Sequence, residues 1–460
     1  MAANISDVDV LLEENIVDRP FCSHGPTSLF VKYTVDGDSQ QFYACSAFRD
    51  RKECNFFQRK DEKVSESKRT ARETIKTEAD QAYKKLKKRC HKLRKLKAIA
   101  RVFCVTCGQF LLPKEKDDHS QHETKSSVDD DTIRSPSRLF RPLDNNKTYA
   151  QYLFSESTIQ FTINVLKKLK ISKVLCVGAP RIHEAIQSDR IKHSKLESLL
   201  LDLDYRYQQI YPPKKFCRYN MFNHYFFNDS TSEAVFSNFL TESDDKHIAL
   251  VTDPPFGGLV EVLASTFKKI TETWKKQRDT IEDKELPVLW FFPYFMEKRI
   301  VDCLPQYSML DYKVDYDNHA LFRGDVKKYG SPVRIFTNIP PSQIELPSSE
   351  GYWYCSECKR YSGPENVHCQ MCDSCTSKDG RTYRHCFKCD RCIKPSKVHC
   401  EKCGICQLKD HKCGQIIGRG CHICGNLSHK RKDCPNKGKP IKRKKFKQDG
   451  RPIKKKKFSK

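Results

Sequence analysis

The sequence predicts an α/β domain with a parallel sheet, flanked by small metal-binding modules. Between about residues 148 and 340, short apolar runs alternate with helical patterns, and this alternation is typical of βαβ units. Outside that region, most of the 24 cysteines stand in close pairs with a histidine nearby. Close Cys/His pairs are the usual source of the four ligands of structural zinc.

The net charge is strongly positive and unevenly distributed. The chain has 84 Lys and Arg residues against 58 Asp and Glu residues, a formal excess of +26. Residues 435–460 alone carry 13 basic residues and one acidic residue. A solvated basic surface is the simplest explanation of a positive charge, but the clustering favours a polyanionic partner.

No apolar run is long enough to span a bilayer, because the most hydrophobic stretch, Val288–Met296, has the length of a strand. The first residues, Met1–Asp18, are acidic and lack the layout of a secretory signal. We therefore expect an intracellular protein without a membrane partner. In a reducing compartment, cysteines are expected to bind metal rather than to form disulfides.

The region before the α/β domain shows several changes of composition. β-like patterns predict strands at Ser28–Val35 and Gln41–Ala44, and a Lys/Arg-rich stretch without Gly or Pro predicts a basic helix. The predicted segments are a flexible N-terminus at 1–20, a Cys-bearing module at 21–60, a basic helical connector at 61–101, a Cys/His module at 102–124 and a Ser-rich linker at 125–147.

The α/β domain itself is expected at 148–340. Its predicted elements are a helix at Ser157–Leu169 and strands at Lys173–Val177, Ser198–Asp202, Ala249–Val251 and Pro287–Phe292. The predicted segments after it are a linker at 341–352, a Cys/His-rich region at 353–415, a zinc knuckle at 416–436 and a basic tail at 437–460. We expect these segments to serve recognition, so that a chain cut after Pro340 still folds; the alternative is that the Cys-rich region packs on the α/β domain and that truncation unfolds it.

Two strands of this domain end in residues suited to a nucleotide-type ligand. Lys173–Val177 is followed by Gly178, where a glycine lets the backbone approach a ligand closely. An ordinary strand-to-helix turn explains that glycine equally well. The next apolar strand ends at Asp202, whose carboxylate can hold both ribose hydroxyls in such a fold, although a helix N-cap is an equal alternative for this residue alone.

A third strand ends in Asp253-Pro254-Pro255-Phe256, and this motif indicates the chemistry. The exocyclic amine of adenine is a poor nucleophile, so a site that methylates it should accept hydrogen bonds from both of its N–H groups. The Asp253 carboxylate and the Pro254 carbonyl can do so from a turn that the prolines hold rigid. Phe256 can stack on an extruded base. The alternative is a rigid turn with a buried phenylalanine.

Two candidate zinc sites precede the α/β domain. The N-terminal one resembles a GRF-type zinc finger, with Gly25-Pro26, Phe42-Tyr43 and Asn55-Phe56-Phe57 at the expected places; its ligands are Cys22, His24, Cys45 and Cys54. The other is similar to a shortened C2H2 finger, for which two unrelated pairs are the alternative; its ligands are Cys104, Cys107, His119 and His122.

The C-terminal region contains an internal repeat of Cys-x2-Cys, a later His, and a Cys seven positions beyond that His. The repeat predicts the interleaved ligand sets Cys355/Cys358/His368/Cys375, Cys369/Cys372/His385/Cys392, Cys386/Cys389/His399/Cys406 and a contracted Cys400/Cys403/His411/Cys413. Other pairings of these ligands remain open. A CCHC knuckle follows, with ligands Cys421, Cys424, His429 and Cys434. About seven zinc sites are thus expected.

The motif at Asp253 resembles the signature of class I amino-methyltransferases that act on adenine, over about residues 148–340. The resemblance implies a seven-stranded, Rossmann-like sheet with S-adenosylmethionine bound over its first strands. The fold class is therefore α/β, a Rossmann-like class I methyltransferase domain flanked by small zinc-binding modules. By this resemblance Asp202 would hold the ribose, and Asn220 and Met221 would border the adenine.

The same resemblance assigns the amino acid end of the cofactor. Gly178 and Ala179–Arg181 would line its methionine moiety. The usual Gly-x-Gly loop is here Gly-Ala-Pro-Arg, and Arg181 is expected to compensate by pairing with the cofactor carboxylate. The segment that would close over this end consists of Gln151, Tyr152, Leu153 and Phe154.

The spacing within the Cys/His-rich region is similar to that of the cysteine-rich domain of DHHC palmitoyltransferases. The nucleophilic Asp-His-His-Cys is absent, since the third repeat reads Lys397-Val-His399-Cys400, and no segment of the sequence has the length and apolarity of a membrane span. Acyl transfer is therefore rejected.

The combination of modules resembles the CCHC-type zinc-finger rRNA N6-adenosine methyltransferase family over nearly the whole chain. This resemblance implies an adenosine of large-subunit ribosomal RNA as substrate, ribosome-assembly or RNA-processing proteins as partners, and a location in the nucleus and nucleolus, with the cytoplasm as a further location. Two alternatives stay open. One is a DNA amino-methylase, and the other is a non-catalytic RNA-binding scaffold with a relict methylase domain.

Overall fold

The computed structural model describes residues 8–12, 19–33, 39–48, 51–142, 151–188, 196–227, 230–241, 247–277, 285–318 and 331–413. The predicted knuckle and basic tail lie outside these ranges. Within them, none of the helices combines the length and the apolarity that crossing a membrane requires.

The N-terminal module is a small antiparallel sheet beside a short hairpin. Its strands are β1 (Val8–Leu11), β2 (Phe21–Cys22), β3 (Gly25–Pro26), β4 (Ser28–Tyr33), β5 (Ser39–Ala44) and β6 (Phe57–Arg59). The sheet order is β1-β4-β5-β6, and β2 pairs with β3. The expectation of a flexible N-terminus is wrong for Val8–Leu11, which pairs in register with Leu29–Lys32 because its apolar residues complete the edge of this sheet.

The basic connector is a single helix, α1 (Glu66–Arg94), which begins at the N-cap Ser65. Its final turns contact other parts of the molecule, because Cys90 and Leu93 are buried. Arg89 donates to the carbonyl of Phe110, 2.6 Å away, and Arg94 donates to that of Gln208, 2.9 Å away. The helix therefore joins the second zinc module to the α/β domain.

The second zinc module forms a three-stranded sheet with the order β8-β7-β9. Its elements are β7 (Val102–Cys104), β8 (Gln109–Leu111), β9 (Thr124–Ser126) and the short helix α2 (Asp130–Arg134). The expectation of a linker at 125–147 is wrong for residues 125–142, which are the described part of that segment. β9 pairs with β7, and Val128, Leu139 and Phe140 are buried in the main core, so this segment is anchored by apolar burial.

The central sheet of the described chain has eight strands in the order β13-β12-β11-β10-β14-β15-β17-β16. The strands are β10 (Ile171–Val177), β11 (Glu197–Asp202), β12 (Phe216–Asn220), β13 (Tyr225–Phe226), β14 (His247–Thr252), β15 (Val288–Pro293), β16 (Ser308–Leu310) and β17 (Val333–Thr337). β10, β11, β12, β14 and β15 are parallel, and β13, β16 and β17 pair antiparallel. The seven expected strands are present, with the two-residue β13 added at one edge.

Helices cover both faces of this sheet. They are α3 (Glu156–Lys168), α4 (Pro180–Gln187), α5 (Ser230–Phe239), α6 (Val260–Lys276) and α7 (Glu297–Cys303). Successive residues of β10 point to opposite faces, so Val174 and Cys176 lie in one apolar cluster while Leu175 and Val177 lie in the other. Burial on both faces explains why the strands read as continuous apolar runs.

Short 3₁₀ helices complete the connections. They are Ala98–Ala100, Pro113–Glu115, Asp117–His119, Pro136–Arg138, Tyr205–Gln209, Tyr294–Met296, Pro341–Gln343 and Ser348–Glu350.

The Cys/His-rich region is a chain of four hairpins. They pair β18 (Trp353–Cys355) with β19 (Arg360–Ser362), β20 (His368–Cys369) with β21 (Ser374–Cys375), β22 (Arg384–Cys386) with β23 (Arg391–Ile393), and β24 (Lys397–Cys400) with β25 (Ile405–Leu408).

The first of these hairpins is built into the α/β domain. The expectation of a linker at 341–352 is wrong, because Ile344, Leu346 and Tyr352 are buried in the main core. The buried Asp311 carboxylate accepts hydrogen bonds from the backbone N–H of Gly363 and from Asn366, each at 2.7 Å. A chain cut after Pro340 would lose all of these contacts.

Candidate active site and zinc centres

The site forms where the strand order of the sheet reverses. β10 and β14 are parallel neighbours, and the last pair in register is Val177 with Thr252. Gly178 and Asp253 therefore leave the sheet side by side. The carboxyl edge at such a switch point is where open α/β sheets bind their ligands.

Gly178 satisfies two demands at this edge. Its φ of +63° lies in the left-handed region, which favours glycine. A Cβ atom there would lie 2.6 Å from Met221 Cε and 3.3 Å from the Asp253 carbonyl oxygen. Any side chain at position 178 would thus collide with the residues that follow β12 and β14 and would displace them.

These loops border a cavity of about 620 Å³, within the size range of small-molecule sites. The residues predicted from the sequence that line it are Gln151, Tyr152, Gly178, Pro180, Asp202, Asn220, Met221, Asp253, Pro254, Pro255 and Phe256. The two N-terminal zinc modules complete its wall, the first with residues that include His24 and Phe48, the second with residues that include Gly108. Their participation could not be predicted, since their zinc motifs describe only local structure.

Two neighbouring carboxylates at the end of β11 have different partners. Asp204 binds the Arg206 guanidinium at 2.7–3.0 Å and caps the following 3₁₀ helix. Asp202 accepts a hydrogen bond from the Asp204 backbone N–H at 2.9 Å, the backbone N–H of Leu203 also lowers its pKa, and its side chain lines the cavity. Burial, with the nearby Asp204 charge, raises the pKa of Asp202 to about 7. Asp202 is thus the carboxylate that a ribose can reach.

Asp253 is held by a residue that no sequence motif indicated. The Tyr316 hydroxyl donates to Asp253 Oδ1 at 2.9 Å; Tyr316 is buried, and Asp253 is half-buried at the cavity. Burial raises the pKa of Asp253 well above its usual range, and the hydrogen bond from Tyr316 opposes that rise. Tyr316 therefore fixes one oxygen of this carboxylate.

Aromatic rings surround this carboxylate. Phe256 stacks on Tyr152 with the ring centroids 5.6 Å apart, and it meets Tyr316 edge-on at 6.1 Å. Phe154 stacks on Tyr316 at 5.2 Å from behind. The wall beside Asp253 is thus apolar and aromatic, which suits a purine base.

Four predicted cofactor residues, Ala179 among them, do not line the cavity. Leu153 and Phe154 are buried and belong to the segment that pairs with residues 315–318. The guanidinium of Arg181 lies 3.7 Å from Asp317 and 3.9 Å from Glu156. Because α4 begins already at Pro180, Arg181 faces these two carboxylates, and its pairing with the cofactor stays a prediction.

Asn220 borders the cavity, but its side chain is occupied. Its Nδ2 donates to the His24 carbonyl and to Ser46 Oγ, each at 3.0 Å, and its Oδ1 accepts from the Phe222 N–H. Its side chain therefore fastens the first zinc module to the end of β12, which leaves Met221 as the apolar residue of the pair predicted at the adenine.

The predicted zinc ligands come together in space. In five sets, one ligand atom from each of the four side chains lies within 4.8 Å of all the others; they are Cys22/His24/Cys45/Cys54, Cys104/Cys107/His119/His122, Cys355/Cys358/His368/Cys375, Cys369/Cys372/His385/Cys392 and Cys386/Cys389/His399/Cys406. Four Cys/His ligands within this distance suit tetrahedral zinc.

The contracted fourth unit of the repeat also closes. Cys400 Sγ lies 3.6 Å from Cys413 Sγ, and His411 Nε2 lies 3.5 Å from Cys403 Sγ and 3.4 Å from Cys413 Sγ. The structure thus brings together the interleaved sets that the spacing predicts. The predicted ligands Cys421, Cys424, His429 and Cys434 lie outside the described residues.

The cavity fits S-adenosylmethionine on three observations of this structure. Gly178 keeps the floor free of a side chain, the Asp202 carboxylate lines the cavity where it can reach a ribose, and Met221 offers an apolar surface. Fold and cavity together define a class I S-adenosylmethionine-dependent methyltransferase that carries zinc-binding modules.

Comparisons with known proteins agree with this class. Residues 145–331 match the family model described as "Probable N6-adenine methyltransferase", and residues 20–63 match the GRF zinc finger model. The chain is 51% identical to the human rRNA N(6)-adenosine-methyltransferase ZCCHC4, over 94% of this chain and 85% of that protein. It is 49% identical to the mouse protein of the same name, over 94% and 86%, and 47% identical to that of Xenopus tropicalis, over 94% and 89%.

The chain therefore belongs to the rRNA N(6)-adenosine-methyltransferase ZCCHC4 family. This confirms the family, the enzyme class, the methyl donor and the zinc binding predicted from the sequence.

Proposed function

We propose that this protein transfers a methyl group from S-adenosylmethionine to the N6 amino group of an adenosine in ribosomal RNA, in the large subunit. The observation that carries the proposal is the Asp253–Phe256 turn, which sits at the edge of the cavity beside Gly178.

The residues of this turn supply the groups that an adenine amine needs. Tyr316 holds one oxygen of Asp253, which leaves the other to accept one N–H of the amine. The carbonyl of Pro254 accepts the second N–H, and Phe256 stacks on the base. Two acceptors fix the plane of the amine and turn the nitrogen lone pair toward the donor. The cofactor supplies an electrophilic methyl group.

The proton that the amine loses also has an acceptor. As the N–CH3 bond forms, the sulfur–methyl bond breaks and the nitrogen becomes acidic. Burial raises the pKa of Asp253, which makes its free oxygen a better acceptor for this proton. Asp253 thus orients the amine before transfer and takes up its proton afterwards.

Charge and family membership support RNA as the substrate. The sequence has an excess of +26, much of it in residues 435–460, and such charge binds phosphate backbones. The named relatives act on ribosomal RNA. A nuclear and nucleolar location, with some protein in the cytoplasm, and contact with ribosome-assembly or RNA-processing proteins belong to the same proposal.

Mass spectrometry of ribosomal RNA nucleosides from cells with and without the protein tests it. We expect N6-methyladenosine to fall in large-subunit RNA and to return with the wild-type chain, but not with Asp253→Ala. In vitro, RNA and DNA versions of one oligonucleotide are compared. Preference for DNA would indicate a DNA amino-methylase, and cofactor binding without turnover would indicate a relict methylase domain.

A further inference from the structure

The first zinc module, residues 19–60 around Cys22, His24, Cys45 and Cys54, forms part of the cavity wall. His24, Ala47, Phe48 and Glu53 line the same cavity as Asp202, Met221 and Asp253. A zinc finger that served only RNA would have no need to reach the inside of the cofactor cavity.

Hydrogen bonds fix this module to the end of β12. Asn220 Nδ2 donates to the His24 carbonyl and to Ser46 Oγ, and Asn223 Nδ2 donates to the Pro26 carbonyl at 2.7 Å and to Ser46 Oγ at 2.9 Å. Both asparagines are buried. Buried amides with several partners hold two elements in one relative position.

A close backbone approach strengthens this attachment. Gly25 adopts a φ of +96°, and a Cβ there would lie 2.7 Å from Cδ1 of Tyr225. Phe21 packs edge-on against the same tyrosine, with centroids 5.8 Å apart. The β2–β3 hairpin, which carries Cys22 and flanks His24, is therefore pressed directly onto the methyltransferase domain.

Phe48 is positioned by contacts with two predicted zinc ligands. Its backbone N–H points to Cys45 Sγ at 3.3 Å, and its ring lies 4.5 Å from the ring of His24. Cys45 and His24 are both predicted ligands of this site, and the His24 carbonyl is bound to Asn220, the residue before Met221. Phe48 is thus placed beside the part of the cavity that Met221 borders.

We propose that the first zinc module is a wall of the cofactor site and that Phe48 packs against the adenine of the methyl donor. The inference rests on the proposed function, because it needs a bound methyl donor. Zinc in this module then supports cofactor binding as well as local folding.

Calorimetry on the full-length chain with S-adenosylhomocysteine and with 5′-methylthioadenosine tests this. The latter ligand keeps the adenosine and lacks the amino acid end. Phe48→Ala should weaken both ligands by the same factor, at least about fivefold, the lower bound for losing one aromatic–base stack. Phe57→Ala is the matched control, since Phe57 is an exposed phenylalanine of the same module that does not line the cavity; its affinities should stay within about twofold of wild type.

Equal affinity of Phe48→Ala and wild type, with Asp202→Ala weakened, would overturn this inference and leave the proposed function standing. No binding by the wild-type chain would overturn both. Zinc content is measured for every variant. If Phe48→Ala loses zinc, Phe48→Tyr and Phe48→Leu decide: wild-type affinity with Tyr and weaker affinity with Leu support the inference, whereas equal affinities overturn it.

Discussion

In the variant Asp253→Asn, the Tyr316 hydroxyl and the substrate amine are expected to compete for one acceptor oxygen. In the structure Oδ1 of Asp253 accepts from Tyr316, and within the described ranges no hydrogen bond to Oδ2 is seen, so that this oxygen can accept from the adenine amine. Asparagine keeps the size of the side chain but has a single acceptor oxygen. If Tyr316 retains that oxygen, the amide NH2 faces the substrate amine, which is also a donor. Removing the tyrosine hydroxyl as well should return the oxygen to the substrate.

The expected magnitudes follow from this competition. A hydrogen bond to a charged group contributes about 1.5–3 kcal/mol, and about 1.4 kcal/mol corresponds to a tenfold change in rate. Asp253→Asn should therefore lower the rate of methyl transfer by about 10- to 150-fold. The double variant Asp253→Asn with Tyr316→Phe should recover roughly tenfold of that loss. Asp253→Ala should lose about 100-fold or more, in the range for removing one preorganised group.

Single-turnover methyl transfer to an RNA oligonucleotide measures these rates, and calorimetry with S-adenosylhomocysteine checks that cofactor affinity stays within about threefold. Tyr316→Phe alone is the matched control for the double variant. Near-wild-type transfer by Asp253→Ala would refute the role of the carboxylate. A double variant no faster than Asp253→Asn would refute the competition for its oxygen.

Further outcomes are expected elsewhere in the chain. Asp202→Ala should weaken S-adenosylhomocysteine by about 10- to 150-fold in calorimetry, because charge-assisted bonds to the ribose are lost. As burial raises the pKa of Asp202 to about 7 and ribose binding favours its ionised form, affinity should increase from pH 6 to pH 8, and Asp202→Asn should flatten this increase. Deleting residues 435–460 should flatten the salt dependence of RNA affinity in fluorescence anisotropy; an unchanged slope would exclude phosphate contacts there. Truncation after Pro340 should give the circular dichroism spectrum of an unfolded chain, because residues 344–352 and the first C-terminal hairpin pack on the main core. For the same reason, Asp311→Ala should lower the melting temperature. Wild-type thermal stability of both the truncated chain and the Asp311→Ala variant would contradict this reasoning.

The features that could be predicted from the sequence are those that depend on local patterns of residues. Spacing along the chain is enough to group Cys/His ligands, because the four ligands of each set lie at most 32 residues apart, the separation of Cys22 and Cys54. Apolar runs ending at Gly178, Asp202 and Asp253 locate the carboxyl edge of the sheet, because parallel strands present the same end to one side.

The features that could not be predicted depend on contacts between distant parts of the chain. Tyr316 is 63 residues from Asp253, and Asn220 is 196 residues from His24, whose carbonyl it binds. No periodicity marks such residues. Arg181 shows the same limit: its sequence position suits the cofactor carboxylate, but no local pattern indicates that Asp317 and Glu156 lie 3.7 and 3.9 Å from its guanidinium.

In the C-terminal hairpins, single strands carry ligands of two different predicted zinc sites. In β20, β22 and β24, a histidine of one ligand set is followed directly by a cysteine of the next, as in His368-Cys369, His385-Cys386 and His399-Cys400. An ion that orders one of these strands has already positioned a ligand for its neighbour. Metal uptake should therefore spread along the region as in a one-dimensional lattice with nearest-neighbour coupling. At limiting zinc, such a lattice holds its ions in contiguous runs, so that a chelator strips it from the ends inward.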